Sequence, residues 1–298
     1  MQRLNLPVIS PKANKYTRGS LLIIGGSTRF PGAAILAALA GALSGAGYTT
    51  LATPISVVPT AQAHLLSIPV IGAQEMEGAF GAHAFSSILE KLNHINAVVL
   101  GPGLTSAPSA LDFARSVQIW ADKTSTPLVL DADALMASIP SSASSRHPHS
   151  SSESPTASPS PDSSSSLAYT RRRILTPHAG ELTRLLTRTG TSSVEELANH
   201  QHAIVIAKGP VTTITDRQRM VSCNEGTPAL AKAGTGDVLS GIIGSLLAQG
   251  MDAFEAAEAA VIIHAHAGQY AEEKYGTRSV MAEHLLEALP AVLRDALA

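Results

Sequence analysis

Short apolar runs alternate with longer helical stretches along most of this chain. The runs at residues 21–24, 49–53, 97–100, 128–130, 174–175 and 204–206 stop at or shortly before glycine, proline or aspartate. Runs of this length and composition are typical of buried strands. Residues 32–47, rich in alanine and leucine, are predicted to be a helix, and residues 211–214 either a hairpin strand or a continuation of the strand before them. The alternation predicts an α/β fold, a mostly parallel central sheet with helices on both faces.

A glycine-rich run precedes the most apolar predicted helix. Gly234, Thr235, Gly236 and Asp237 come directly before a segment that continues through residues 242–247. Free backbone N–H groups and the positive end of the helix dipole would make this entry a site for phosphate. Asp237 then has two possible roles: a general base that takes a proton from an attacking hydroxyl, or a helix cap. The run alone leaves both open.

Other polar candidates also follow predicted strands, where parallel sheets bind ligands. His178 and Glu181 lie in a proline-fixed turn and are available to a polar ligand, although a buried histidine and a locally capping glutamate are the alternatives. Lys208, Gly209 and Thr212 offer a charge, backbone access and a hydroxyl to a phosphate. The small residues at 25–27 and 31–34 permit close backbone approach, but helix–sheet packing explains them equally simply.

Several common site patterns are missing from the sequence. Neither the Walker loop nor the G-x-G-x-x-G fingerprint occurs, and no Cys/His ligand set or nucleophile elbow is present. His264 and His266 are two residues apart in an apolar segment, so on a helix they face different directions. We therefore predict packed or hydrogen-bonded histidines there and no metal site.

Composition narrows the class of protein. The 298 residues are 45% hydrophobic, 15% charged and carry a formal net charge of −2, so no basic face for nucleic acid is expected. The arginines at 171–173 fit a solvated loop end better than a nucleic-acid contact. Cys223 is the sole cysteine, which rules out an intrachain disulfide and fits a reducing compartment. Without a signal-peptide core or a membrane-length apolar run, a cytoplasmic protein is expected.

Residues 141–166 interrupt the alternation. Fourteen of these 26 residues are serine and four are proline, a composition that buries too little apolar surface to offset the entropy of ordering. The predicted strands on either side belong to one sheet pattern. We therefore expect a disordered insertion in a surface loop of a single domain covering residues 1–298.

Taken in order, the motifs resemble one family. They are Gly-Gly-Ser at 25–27, Pro-Gly-Ala at 31–33, Gly-Pro-Gly-Leu at 101–104, Leu-Asp-Ala-Asp-Ala-Leu at 130–135, Leu-Thr-Pro-His-Ala-Gly-Glu at 175–181, Lys-Gly-Pro-Val-Thr at 208–212 and Ala-Lys-Ala-Gly-Thr-Gly-Asp-Val-Leu-Ser-Gly at 231–241. The set is similar to the bacterial NAD(P)H-hydrate dehydratases, members of the ribokinase-like superfamily. The similarity runs from residue 15 to about residue 293, apart from the insertion.

The resemblance implies repair of the S epimer of NADH or NADPH hydrated at the nicotinamide ring. The bacterial branch uses ADP as phosphoryl donor, with Mg²⁺, and releases AMP and phosphate, whereas eukaryotic relatives use ATP. It also implies a homotetramer and a partnership with a separate epimerase, since only about twenty residues precede the first predicted strand.

The resemblance also implies roles for individual residues. Asp237 would be the base, and the amides of Gly234, Thr235 and Gly236 would stabilise the transferring phosphoryl group. Lys208, Gly209, Pro210, Val211, Thr212 and Gly236 would bind the nucleotide. Ala33, Gly103, His178 and Asp237 would contact the hydrate.

Two positions depart from the family pattern, Thr105 and Ala233, where many relatives have glycine.

Two other functions are alternatives. A kinase of a small alcohol, of the hydroxymethylpyrimidine or hydroxyethylthiazole type, would share the glycine loop and the base but keep the phosphate on its product. The motif at 176–181 favours the dehydratase. A non-catalytic nucleotide-binding protein is disfavoured because Asp237 stands beside an intact glycine loop.

Overall fold

The computed structural model describes residues 3–137 and 172–297. The insertion predicted at residues 141–166 lies outside these ranges. The strands are β1 (Ser20–Ile24), β2 (Tyr48–Pro54), β3 (Val70–Ala73), β4 (Glu75–Met76), β5 (Ala79–Phe80), β6 (Ala97–Leu100), β7 (Leu128–Leu130), β8 (Arg173–Leu175), β9 (Ile204–Ala207), β10 (Thr212–Thr215) and β11 (Met220–Cys223).

The helices follow the strands in the predicted alternation. They are α1 (Pro31–Leu43), α2 (Val58–His64), α3 (Phe85–Leu89), α4 (Pro108–Thr124), α5 (Ala179–Thr189), α6 (Val194–Gln201), α7 (Thr235–Ala248), α8 (Ala253–Tyr275) and α9 (Ala282–Leu297). Short 3₁₀ turns lie at Ile55–Val57, Ala132–Ala137 and Pro228–Leu230. Within the described ranges, no helix has the length and hydropathy needed to cross a bilayer.

One large sheet organises the described part of the chain. Its strand order is β11-β10-β9-β8-β7-β6-β1-β2-β3, and β4 and β5 form a separate two-stranded hairpin. Strands β1 to β3 and β6 to β9 pair in parallel, whereas β10 pairs antiparallel with both β9 and β11. The fold prediction is confirmed, and the predicted segment 211–214 corresponds to the hairpin strand Thr212–Thr215 rather than to a continuation of β9.

Helices cover both faces of the sheet. Alternate residues of β1 point to opposite sides: Leu21 and Ile23 join a core with α1, α7, α8 and α9, while Leu22 and Ile24 join a core with α3, α4 and α6. A strand buried on both sides has no polar face, which is why β1 appears in the sequence as a continuous apolar run.

The two edges of the sheet contain strands that the apolar pattern did not predict. Met220–Cys223 alternates exposed and partly buried residues at one edge, and most of Val70–Ala73 is only partly buried at the other. Edge strands need no continuous apolar run, because one side of each is unpaired and largely solvated.

The predicted polar motifs meet at one edge of the sheet. Strands β9, β8, β7, β6 and β1 are consecutive neighbours, and all five are parallel, so their carboxyl ends lie side by side. The turns that follow these strands begin at Lys208, Thr176, Asp131, Gly101 and Gly25. The sheet therefore brings together segments that are far apart in the sequence.

Candidate active site

The glycine-rich run forms the entry to helix α7, as predicted. Gly234 is the N-cap residue with φ 91°, and a Cβ there would lie 2.9 Å from both Ala282 Cβ and Leu36 Cδ1. A side chain at this position would therefore be unfavourable for two reasons, the positive φ and the close contacts with Ala282 and Leu36. Thr235 is buried and donates its hydroxyl proton to the carbonyls of Leu230 (2.8 Å) and Lys232 (2.9 Å). The loop is thus held rigidly in front of the helix.

Asp237 lies in the first turn of α7, three residues after the N-cap residue Gly234. Within the described residues, no backbone N–H donates to its carboxylate, so the contacts do not support the capping alternative. Burial raises the pKa of Asp237, the negative charge of Asp131 adds to the effect, and Lys208 opposes it, to give a pKa of about 7. A carboxylate with a pKa near neutral pH has the properties of a general base.

A buried ion pair lies beside the helix entry. Lys208 Nζ donates a hydrogen bond to Asp131 Oδ1 over 3.1 Å, and the side chain of Asp131 is only 5% exposed. Thr176 Oγ1 donates to the same oxygen (2.8 Å) and Ser240 Oγ to the other (2.7 Å). Burial alone would raise the pKa of Asp131, but Lys208 and these hydroxyls outweigh it and hold the pKa below its usual value.

Lys208 reaches the anion-binding end of α7. A Cβ added to Gly236 would lie 3.1 Å from Lys208 Nζ, so the ammonium lies directly over the backbone of the first turn. Burial alone would lower the pKa of Lys208, but Asp131 and Glu181 hold it above its usual value. The lysine is therefore a permanent positive charge next to N–H groups that already favour anions.

His178 and Glu181 form the reciprocal cap of helix α5. The Nδ1 atom of His178 accepts from the backbone of Gly180 (3.1 Å) and Glu181 (3.4 Å), and Glu181 Oε2 accepts from the backbone N–H of His178 (2.9 Å). Glu181 therefore caps helix α5, as in the alternative interpretation of this residue as a locally capping glutamate. His178 is exposed rather than buried, and its ring remains accessible at the sheet edge.

Ala33 and Gly103 are in contact, as a shared binding surface requires. A Cβ at Gly103, which has φ 69°, would lie 2.4 Å from the carbonyl oxygen of Phe30, 3.1 Å from Ala33 Cβ and 3.2 Å from Gly26 Cα. Ser27 Oγ donates to the carbonyl of Gly103 over 2.9 Å. The small residues after β1 and β6 thus pack against each other, and packing by itself accounts for the glycines at 25 and 26.

The turn between β9 and β10 lies open beside Lys208. Gly209, Pro210 and Val211 are exposed, and Thr212 begins β10 with its hydroxyl 3.4 Å from the carbonyl of Gly209. Among the predicted nucleotide-binding residues of this segment, Lys208 is the one whose side chain reaches Gly236.

The two histidines of helix α8 have separate partners. The Nε2 atom of His264 is 2.9 Å from the carbonyl oxygen of Thr235, and burial lowers the pKa of His264 to about 4. The neutral ring therefore donates a hydrogen bond to the backbone of the glycine-rich run at residues 234–236, which we call the anion loop. His266 Nε2 pairs with Glu225 over 2.7 Å. The prediction of packed or hydrogen-bonded histidines is confirmed.

Sequence reasoning missed the central roles of Asp131 and Ser240. Both residues lie within motifs that carry the family resemblance, at 130–135 and 231–241, but the sequence assigned neither a role. A carboxylate directly after a strand in the middle of a predicted parallel sheet was the available signal for Asp131. Nothing in the local sequence indicated that Ser240, 109 positions away, would contact it.

The carboxylates at this edge of the sheet are suited to bind a cation that enters the site together with a nucleotide. The charges of Glu181 and Asp131 both act on Asp237, so oxygen donors lie near the helix entry. Across residues 3–137 and 172–297, no group of three or more His, Cys, Asp or Glu side chains is arranged to hold a metal ion. Mg²⁺ commonly binds through one or two carboxylates together with substrate phosphates, and these residues suit that arrangement.

Comparison with known proteins agrees with this geometry. The profile of the NAD(P)H-hydrate dehydratase family matches residues 21–153 and 159–291. The ADP-dependent (S)-NAD(P)H-hydrate dehydratase of Xanthomonas campestris is 30% identical over 96% of this chain and 92% of its own. The bifunctional NAD(P)H-hydrate repair enzyme Nnr of Salinibacter ruber is 35% identical over 97% of this chain but 51% of its own length. The chain thus spans about half the length of the bifunctional relatives that it matches.

Solved structures share the fold. A ribokinase-like superfamily protein of Enterococcus faecalis superposes with a TM-score of 0.78 at 21% identity, covering 98% of this chain and 92% of that one. The ADP/ATP-dependent NAD(P)H-hydrate dehydratase of Bacillus subtilis, co-crystallized with ATP/Mg²⁺, gives a TM-score of 0.72 at 26% identity, over 98% of this chain and 94% of that one. The α/β architecture, the ordered motifs and these relatives agree: this chain belongs to the NAD(P)H-hydrate dehydratase family and has its ribokinase-like fold.

Proposed function

We propose that this protein dehydrates the S epimer of hydrated NADH or NADPH with ADP as phosphoryl donor, releasing AMP, phosphate and the restored dinucleotide. The observation that carries the proposal is Asp237, with a pKa of about 7, in the first turn of a helix whose entry faces the Lys208 ammonium. The family named for this reaction supports the same assignment.

Asp237 would remove the proton from the hydroxyl on the hydrated ring. The hydroxyl oxygen then attacks the terminal phosphorus of ADP, and the bond from that phosphorus to the bridging oxygen breaks to release AMP. The amides of Gly234, Thr235 and Gly236 would stabilise the charge that develops on the transferring group. In the second step the ring nitrogen donates its electron pair, the carbon–oxygen bond breaks and free phosphate leaves. Loss of a proton from the adjacent ring carbon to solvent then forms the carbon–carbon double bond of the restored dinucleotide.

The nucleotide would lie on the side of β9 and β10. Lys208 offers a charge to the phosphates, Gly209, Pro210, Val211 and Thr212 form the open turn beside it, and Gly236 supplies a backbone N–H. Mg²⁺, when bound, would neutralise phosphate charge, and Glu181, whose charge acts on Asp237, would hold it together with the phosphates. In the relative from Bacillus subtilis the crystals contained ATP/Mg²⁺.

The hydrated ring would lie between the base and the neighbouring strand ends. Asp237 would face its hydroxyl, the exposed His178 would contact it from the β8 turn, and the paired surface of Ala33 and Gly103 would support it from the β6 side. Tetramer formation, a cytoplasmic location and supply of the S epimer by a separate epimerase are further expectations from the resemblance.

Product analysis tests the proposal. The purified protein is mixed with hydrated NADH or NADPH and either ADP or ATP, absorbance at 340 nm is followed, and products are identified by mass spectrometry. Equal amounts of AMP, free phosphate and restored dinucleotide are expected with ADP. A stable phosphorylated product would instead assign the protein to the small-alcohol kinases, and strict dependence on ATP would contradict the choice of ADP.

A further inference from the structure

A cavity with a mixed polar and apolar lining lies next to the surface formed by Ala33 and Gly103. Its volume is about 350 Å³, within the range of small-molecule sites. Its lining includes the hydroxyls of Ser27, Thr28, Thr105 and Ser109 and two charged side chains, Arg29 and Glu77. We call it the Arg29 cavity.

The Arg29 cavity is joined structurally to the proposed ring site. Ser27, in its wall, donates to the carbonyl of Gly103 over 2.9 Å. The N–H of Thr28 donates to the carbonyl of Gly78 over 3.0 Å, which ties the β4–β5 hairpin to the turn after β1. One wall of the cavity is therefore bonded directly to Gly103, the residue that contacts Ala33.

The strand order shows on which side of the proposed reaction centre the cavity lies. Lys208 follows β9, His178 follows β8, Gly103 lies after β6 and Ser27 lies after β1, and these strands run in that order across the sheet. Neighbouring strands are ~4.8 Å apart, so Ser27 is displaced by roughly 14 Å, three strand spacings, from the strand of His178. The cavity thus extends the site away from the nucleotide, where the rest of a dinucleotide substrate must go.

The charged groups of the cavity are available to a ligand. Arg29 is exposed, its guanidinium lies 5.1 Å from the ring centroid of Phe30, and within the described residues no carboxylate is at ion-pair distance from it. Glu77, the other charged residue of the lining, is exposed and lies between β4 and β5. An arginine near a ribose binds a 2′-phosphate, and a carboxylate there accepts a hydrogen bond from a free 2′-hydroxyl.

We propose that the Arg29 cavity binds the adenosine-side ribose of the hydrated dinucleotide and that Arg29 pairs with its 2′-phosphate, so that hydrated NADPH is preferred over hydrated NADH. The inference rests on the proposed function, because it takes the substrate to be a hydrated dinucleotide. Glu77 opposes the preference by repelling the 2′-phosphate.

Substitution of the two charged residues tests this assignment. The ratio of kcat/KM for hydrated NADPH to that for hydrated NADH is measured in the wild type and in Arg29→Gln, Glu77→Gln and the control Arg294→Gln, whose arginine pairs with Asp295 on another surface. Loss of a charge-assisted pair lowers the ratio about 10-fold to 100-fold in Arg29→Gln. The ratio rises in Glu77→Gln and is unchanged in Arg294→Gln.

A binding measurement separates this inference from the proposed reaction. NADPH and NADH are titrated into the same variants without ADP, and nicotinamide fluorescence reports binding. If the wild type dehydrates neither hydrate, the proposed reaction is wrong. Arg29→Gln would still support the assignment of the Arg29 cavity if it weakened the binding of NADPH but not that of NADH. Equal effects of Arg29→Gln on both dinucleotides, or no effect on either, overturn the assignment of the Arg29 cavity.

Discussion

Lys208 Nζ and Asp131 Oδ1 lie 3.1 Å apart at the carboxyl ends of two strands that are separated by β8 in the sheet. Ser240 reaches the same carboxylate from helix α7. The pair therefore fixes the ammonium over Gly236 and ties the nucleotide side of the site to the anion loop. Because the carboxylate is buried, removing either charge leaves the other without its main partner.

Replacement of Asp131 by asparagine should change both stability and pH dependence. Breaking a buried ion pair typically costs about 3–5 kcal/mol. The charge of Asp131 also raises the pKa of Asp237, so the acid limb of the rate profile should move to lower pH. Urea denaturation and a pH–rate profile measure the two effects. Asp133→Asn, a half-buried carboxylate two residues away, is the control, and an unshifted acid limb in Asp131→Asn would contradict the electrostatic link.

Asp237→Asn should abolish most turnover while leaving the fold intact. Loss of a general base lowers the rate roughly 10²-fold to 10⁴-fold, measured as phosphate release at saturating ADP and hydrate. Circular dichroism and ADP titration check that the variant is folded and binds nucleotide. Near-normal turnover would exclude Asp237 as the base.

The same variant should be more stable than the wild type at pH 8. The pKa of Asp237 rises from 3.8 to about 7 on folding, so between these values the folded protein holds more protons than the unfolded chain. Its stability therefore falls as pH increases through that window. Asparagine removes this penalty, and the difference in free energy of unfolding should grow from pH 4 to pH 7. A role as a helix cap alone would instead predict nearly unchanged stability at every pH, because asparagine caps a helix about as well as aspartate.

The fold was predictable because the interior strands are buried on both faces. Each of β1, β6 and β7 appears in the sequence as an apolar run closed by a turn residue, and the structure places a strand at each. The glycine entry to α7 was predictable for a similar reason, since free amides at a helix N-terminus depend only on local sequence. By contrast, Met220–Cys223 alternates exposed and partly buried residues at a sheet edge and was missed.

The ion pair at the centre of the site was not predictable from local patterns. Lys208 and Asp131 are 77 positions apart, and their contact depends on β9, β8 and β7 being neighbours in that order. The sequence indicated that both residues follow strands but not which strands are adjacent. The raised pKa of Asp237 depends on the same packing, because its main causes are burial and the charge of Asp131.

Ser240→Ala should weaken the site without removing a charge. The hydroxyl of Ser240 donates to Asp131 Oδ2 over 2.7 Å, and a hydrogen bond to a charged group contributes about 1.5–3 kcal/mol. KM for ADP should rise, because Asp131 and hence Lys208 are held less firmly. Ser245→Ala is a matched control: Ser245 is equally buried on the same helix, but it accepts from the backbone of Ala46. An equal rise in KM for both variants would indicate a general effect on α7.

Lys208→Ala should shift the rate profile in the direction opposite to Asp131→Asn. The positive charge of Lys208 lowers the pKa of Asp237, so its removal should move the acid limb to higher pH. ADP binding should also weaken by about 1.5–3 kcal/mol, since a charge-assisted hydrogen bond is lost. Lys91→Ala, which removes an exposed lysine that contacts only the carbonyl of Gly72 among the described residues, controls for net charge. Stability is measured in parallel, because Asp131 is left buried and unpaired. Opposite shifts in the two variants would show that Asp237 responds to charge, because unfolding of the site would move both profiles in the same direction.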